Sequence, residues 1–104
     1  MNEIDIFKVL SNETRLSILE WLKEPAKHFP LQVHLLKDTE FEGWVCVGSI
    51  CNKAAIAQST VSHYLDILLR AGLLLETKWY EKWTYYRRNE HTIQKFAEYI
   101  KNKI

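Results

Sequence analysis

Apolar residues recur every three or four positions along most of this chain, and every second position only between residues 73 and 88. The first period marks helices and the second marks strands. Ile4, Phe7 and Leu10 predict a short helix over residues 3–10. Ser11, Asn12, Glu13 and Thr14 supply cap-type side chains and an acid where a second helix should begin. That helix runs to about residue 24, with Leu16, Leu19 and Leu22 as its inner stripe, widened by Ile18 and Trp21, and Pro25 stops it. Residues 25–43 follow neither period and read as a long loop, with room for one helical turn at 31–37 and with Phe29, Phe41 and Trp44 as anchors. A helix over 47–53 and a break at 54–57 come next. The clearest element is Gln58–Arg70, where Val61, Leu65, Leu68 and Leu69 form one apolar face and Gly72 suits a left-handed cap. Residues 73–79 and 83–88 are rich in aromatics and Thr and form a hairpin around Tyr80-Glu81-Lys82, a tip without Gly that leaves the turn type open. A last helix over 91–103 carries Ile93, Phe96, Ala97, Ile100 and Ile104 on one stripe.

The order α-α-α-α-β-β-α predicts a mainly α domain with a β-hairpin: a helix-turn-helix over 47–71 followed by a wing over 73–88. The major groove admits a helix and shows a distinct donor and acceptor pattern for each base pair. With Val61 set at zero and 100° per residue, Ser59, His63, Asp66 and Arg70 fall opposite the apolar face, flanked by Thr60 and Ser62. Gln58, Ser59, Thr60, Ser62 and His63 are therefore the candidate DNA-reading side chains, near a helix N-terminus that favours phosphate. A plain amphipathic helix with a solvated polar face would show the same pattern. The hairpin shifts the balance, because Lys78, Lys82, Arg87 and Arg88 put cations on a ribbon beside that helix. Lys82 at the tip is the first candidate for a phosphate contact. Arg87 and Arg88 have a competing role in tying the hairpin base to acids such as Glu90. Asp66 lies four residues before Arg70 and pairs with it most simply along the helix.

With 104 residues the chain holds one domain, 1–104, and is too short for a two-domain dehydrogenase or a TIM barrel. Hydrophobic content of 47% and charged content of 26% are globular values, not those of a disordered chain. The net charge of +1 is unlike a strongly basic nucleic-acid binder, but its distribution is uneven. Residues 1–45 carry five basic and eight acidic groups, net −3, whereas 46–90 carry six and four, and 91–104 three and one, net +2 each. The positive field thus lies on the half that holds the helix-turn-helix and wing. No stretch is long and apolar enough to span a membrane, and the acidic start has no export signal. Two Cys in such a chain point to reduced thiols and a cytoplasmic protein. A glycine-rich phosphate loop, a paired-carboxylate motif and a Cys–His pair at fixed spacing are all missing, so the chain reads as no enzyme and calls for no cofactor.

Val9-Leu10-Ser11-Asn12-Glu13-Thr14-Arg15-Leu16-Ser17-Ile18-Leu19 resembles the opening motif of the ArsR/SmtB winged-helix repressors. Gln58-Ser59-Thr60-Val61-Ser62-His63-Tyr64-Leu65 resembles their recognition helix, and Ala71-Gly72-Leu73-Leu74 and Trp83-Thr84-Tyr85-Tyr86-Arg87 resemble the helix end and the returning wing strand. The resemblance covers nearly the whole chain outside 25–43. It implies a homodimer held by the first and last helices, with 91–104 as the dimerisation helix, bound to an inverted-repeat operator in double-stranded DNA and released by an effector. A small domain has few places to hide Ile4, Phe7, Phe96, Ile100 and Ile104, which are the candidate dimer contacts. The chain departs from the family pattern at Glu13, which stands where Pro is frequent. Ala57 replaces a Ser cap, at a cost of ~1 kcal/mol, and Glu81 replaces a wing Gly. A winged-helix module that binds protein and no longer reads DNA is the alternative from another class.

The effector is open: a small molecule, a redox signal or a metalloid. The family's metalloid sensors carry Cys-Val-Cys, where this chain has Cys46-Val47-Gly48, with Cys51 further on. On one continuous helix the two sulfurs would point about 140° apart; with Cys46 ahead of the helix they could converge. Inert packing, a dithiol or persulfide switch, and a soft-metal site remain as three readings of Cys46 and Cys51. No other metal ligand set stands out. The last helix has His91 without a second His, His28 and His34 have no helical frame, and His63 lacks the zinc-finger partner that should follow it.

Overall fold

The computed structural model describes residues 2–30, 43–79 and 83–104. Helix α1, Glu3–Leu10, opens with a capping box: the Asn2 side chain accepts from the Asp5 N–H at 3.0 Å, and the Asp5 carboxylate accepts from the Asn2 N–H at 3.4 Å. Helix α2, Glu13–Lys23, is capped by Asn12, whose side chain accepts from the Arg15 N–H at 2.9 Å. It ends before Pro25, and Glu24, at φ −134° and ψ 71°, has left the helical region, which a following proline disfavours. Its inner face is Ile18, Leu19 and Leu22. Leu16, expected on that stripe, is instead 42% exposed. It lies 60° from Leu19 but 120° from Leu22 and 160° from Ile18 on the wheel, and the packed face centres on Ile18 and Leu22.

The stretch read as loop begins with a helical turn, α3, Pro25–His28, with Pro at its first position. Phe29 then seals against Trp21, ring edge to face at 6.4 Å. The turn expected at 31–37 and the anchor Phe41 lie outside the described residues. A strand that periodicity did not predict follows: β1, Val45–Cys46, too short to show a period. Helix α4, Val47–Ala54, and helix α5, Gln58–Arg70, come next. The end of α5 has Gly72 at φ +78°, with the Leu73 N–H on the Leu68 carbonyl and the Gly72 N–H on the Leu69 carbonyl, both at 3.0 Å. That pair of bonds is the Schellman arrangement the glycine predicted.

Strands β2, Leu74–Trp79, and β3, Trp83–Arg88, form the expected hairpin, and β1 adds to it antiparallel, in the order β1-β3-β2. Val45 faces Tyr86 and Cys46 faces Tyr85 across β1 and β3, while Glu76 faces Tyr86 across β2 and β3. The hairpin tip is not among the described residues. Helix α6, Glu90–Lys103, closes the chain and is capped by Asn89, which accepts from the Thr92 N–H at 3.4 Å.

The core joins the inner faces of all the long helices to one face of the sheet: Ile18 and Leu22 from α2, Ile50 from α4, Val61, Leu65 and Leu68 from α5, Val45 and Leu74 from the strands. Phe96 belongs to it as well. Expected at a dimer surface, it is 9% exposed and packs edge to face on Phe7 of its own chain at 5.0 Å. A large ring at the centre of α6 is buried first against α1, because that contact costs no association entropy.

Candidate nucleic-acid interface

Helices α4 and α5 meet through three residues. Ala55 takes a left-handed conformation, φ 56° and ψ 34°, with its N–H on the Cys51 carbonyl at 3.0 Å. Ala57 then begins α5 in an extended conformation. This tight reversal presses the apolar face of α5 into the core, so Val61, Leu65 and Leu68 are fully buried. The opposite face is delivered to solvent: Gln58, Ser59, Ser62 and His63 are exposed and Thr60 is half-buried. The five residues chosen from the helical wheel therefore share one outward surface at the N-terminal half of α5. Ala57 makes no side-chain cap bond. The Thr60 and Val61 N–H groups turn back to the Ala57 carbonyl at 3.0 and 3.1 Å, while those of Gln58 and Ser59 meet no acceptor among the described residues. An uncapped helix start beside short polar side chains is chemically suited to phosphate and base edges.

Further along α5, Asp66 pairs with Arg70 at 3.0 Å, as the spacing predicted. Of the hairpin cations, Arg88 is turned inward. Its side chain is 11% exposed and donates to Glu90 at 2.7 Å and to the Leu19 carbonyl at 3.3 Å, so it ties the sheet to α2 and α6. Arg87 lies over the Trp44 ring at 4.8 Å. Lys78 is exposed. Lys82 lies outside the described residues.

The reading of the sequence missed a cluster on the flank of α5. Tyr64 receives a hydrogen bond on its hydroxyl from the Asn12 side chain at 3.4 Å and carries the Arg15 guanidinium over its ring at 5.1 Å. The Tyr64 and His63 rings are 6.3 Å apart. The sequence marks Asn12 as a cap residue and Arg15 as part of the opening motif, but their contacts with Tyr64 are not legible there, since no helical period reveals a contact between separate helices.

Neither Cys46 nor Cys51 is in a disulfide, and both are half-buried. Cys46 stands at the N-cap of α4, ahead of the helix, with its sulfur 3.3 Å from the Ser49 hydroxyl. Cys51 lies within α4 and packs against the core. Burial pushes the Cys51 thiol above its ordinary range, with a smaller push from Cys46, which keeps it protonated and slow as a nucleophile at neutral pH. Among the described residues no group of three or more His, Cys, Asp or Glu side chains is placed to hold a metal ion.

Two helices joined by a tight turn, the second with an exposed polar face, followed by a hairpin, define the winged helix-turn-helix class of DNA-binding proteins. Residues 33–75 match a family model described as bacterial regulatory protein, arsR family. The chain is 49% identical over 104 residues to an uncharacterized HTH-type transcriptional regulator, YbzH, of Bacillus subtilis (strain 168), all of both chains being covered. It is 33% identical over 88 residues to the arsenical resistance operon repressor of Escherichia coli (strain K12), which covers 85% of this chain and 60% of that one. No solved structure matches it significantly. The chain belongs to the arsR family of helix-turn-helix transcriptional regulators, a family of DNA-binding regulators and not of enzymes. Among the described residues no helix is long and apolar enough to cross a membrane.

Proposed function

We propose that the protein is a cytoplasmic homodimeric repressor that reads an inverted-repeat operator with α5 in the major groove. The observation that carries this is the division of α5: a fully buried apolar face opposite an exposed one bearing Gln58, Ser59, Thr60, Ser62 and His63 at an uncapped helix start. Ser59, Thr60 and His63 touch bases, with Gln58 and Ser62 near bases or phosphate, and Lys82 on the wing meets backbone phosphate. Assembly runs through α1 and α6, whose Ile4 and Ile104 are 56% and 91% exposed and whose Phe7 and Ile100 are only partly covered. Two-fold packing of these helices sets the two α5 helices about 34 Å apart, one turn of DNA. The test is binding to duplex from the region upstream of the protein's own gene and to random duplex. His63→Ala should cost on the order of 1–3 kcal/mol on the first and much less on the second. Equal losses on both remove His63 from the specificity set, and an absence of any salt-dependent binding removes DNA recognition in favour of a protein-binding module.

A second reading concerns the effector. Cys46 precedes α4 and is therefore not held at the helical angle from Cys51 that would separate the sulfurs. A bond or soft ion joining them would pull on the turn leading into α5, and a dimer must fit both half-sites at once. Operator affinity of Cys46→Ser and Cys51→Ser, measured with and without oxidant, persulfide donor and arsenite, decides the matter. Equal binding under every condition makes both thiols structural.

A further inference from the structure

Arg15 is a cation with an unusual setting. Its Nε–H donates to the Val9 carbonyl at 2.7 Å, and its guanidinium lies on the Tyr64 ring at 5.1 Å. The group is thus held from α1 on one side and from α5 on the other. The ion pairs among the described residues are Lys27–Glu24, Arg70–Asp66 and Arg88–Glu90, so no carboxylate neutralises it there. An arginine has five N–H donors, and the Val9 carbonyl uses the one on Nε. The four on the two terminal nitrogens have no acceptor among the described residues. Side-chain entropy is already spent in fixing the fork, which lowers the cost of each further hydrogen bond.

Position limits what the fork can meet. Tyr64 adjoins His63 on α5, so Arg15 stands at the flank of the proposed base-reading surface and not on it. A helix seated in the major groove has a phosphate backbone along each flank. Phosphate is also the group whose paired oxygens match a guanidinium fork. We propose that Arg15 is a phosphate clamp: its terminal N–H groups grip one backbone phosphate beside the groove that α5 enters, and Tyr64, held by Asn12, aims them. The proposal rests on the reading of α5 as the DNA-binding helix. It adds a contact from the opening motif of the chain, and that contact fixes the depth and tilt of α5 without reading sequence.

The experiment is the salt dependence of binding to a 30-bp random duplex, followed by fluorescence anisotropy. Arg15→Gln should lower the slope of log affinity against log salt by about 0.9 for each protomer bound. It should also weaken random and upstream duplexes by the same factor. Arg15→Lys, which keeps the charge, should retain the slope. In the wild-type protein, the nuclear magnetic resonance signals of the Arg15 terminal N–H groups should shift on adding duplex and return on adding salt. That readout does not depend on how well the Gln variant folds, and a purely structural arginine would not move it. Unmoved signals, or an unchanged slope in Arg15→Gln while His63→Ala still abolishes discrimination, overturn the clamp and leave the α5 reading standing. Wild-type protein with no salt-dependent duplex binding overturns both.

Discussion

Placing a hydroxyl at position 57 separates two demands made on the start of α5. Ala57 has the extended conformation of a cap residue, φ −54° and ψ 136°, but no side-chain acceptor. The Gln58 and Ser59 N–H groups are left without a partner among the described residues. In Ala57→Ser the new oxygen can accept from the Ser59 or Thr60 N–H, a gain of about 1 kcal/mol. For a domain of this size that raises Tm by roughly 4–8 °C, which a thermal melt followed by circular dichroism will detect. DNA binding should move the other way. An N–H held by the cap no longer meets phosphate, and an anion at a helix start is worth about 0.3–1 kcal/mol. Affinity for duplex should therefore fall roughly two- to fivefold per protomer, with little change in salt slope, because no cationic side chain is lost. A more stable variant that binds DNA more tightly would refute the idea that the open helix start is reserved for phosphate. An unchanged Tm would refute the missing cap itself.

Two further outcomes follow from burial. Ile4→Glu with Ile104→Glu should leave the protomer folded but give a monomer by sedimentation with lost operator binding, whereas Phe96→Glu should destabilise the protomer itself, by about 3 kcal/mol or more in denaturant titration; wild-type protein that sediments as a monomer at micromolar concentration sinks the dimer. The Tyr86 phenol, desolvated and donating to Glu76 at 3.2 Å, is pushed up to about 12. It should stay un-ionised in ultraviolet titration well past pH 10, and because its folded value lies above its unfolded one, its contribution to stability is complete below pH 10 and declines as pH rises towards 12.

Helices α1, α2, α4, α5 and α6, the hairpin and their order were legible in the sequence. The stripe on Gln58–Arg70, the switch of period at residue 73, Gly72 and the Asn12 cap are local features, each settled by residues within one or two turns of one another. The outward face of α5 was legible for the same reason, since a strong apolar stripe names its opposite. Partnership between elements was not. Helical spacing put Leu16 on the inner stripe, yet it is 42% exposed, and Phe96, a candidate dimer contact, packs on Phe7 of its own chain, because which part of a stripe is covered, and by what, depends on the neighbouring helix. The two-residue strand β1 gains its identity from pairing with β3 and has no signal of its own. Arg88 could serve DNA or the fold until Glu90 and the Leu19 carbonyl claimed it. The Asn12–Tyr64 bond joins residues 52 apart, and Arg15 reaches the same ring. Sequence alone determined the five longer helices, the hairpin and the polar face offered to a groove, since these depend on local spacing; only the tertiary structure decided which charges are already neutralised and which are held beside that face with no carboxylate partner among the described residues, because charge pairing depends on distance through space.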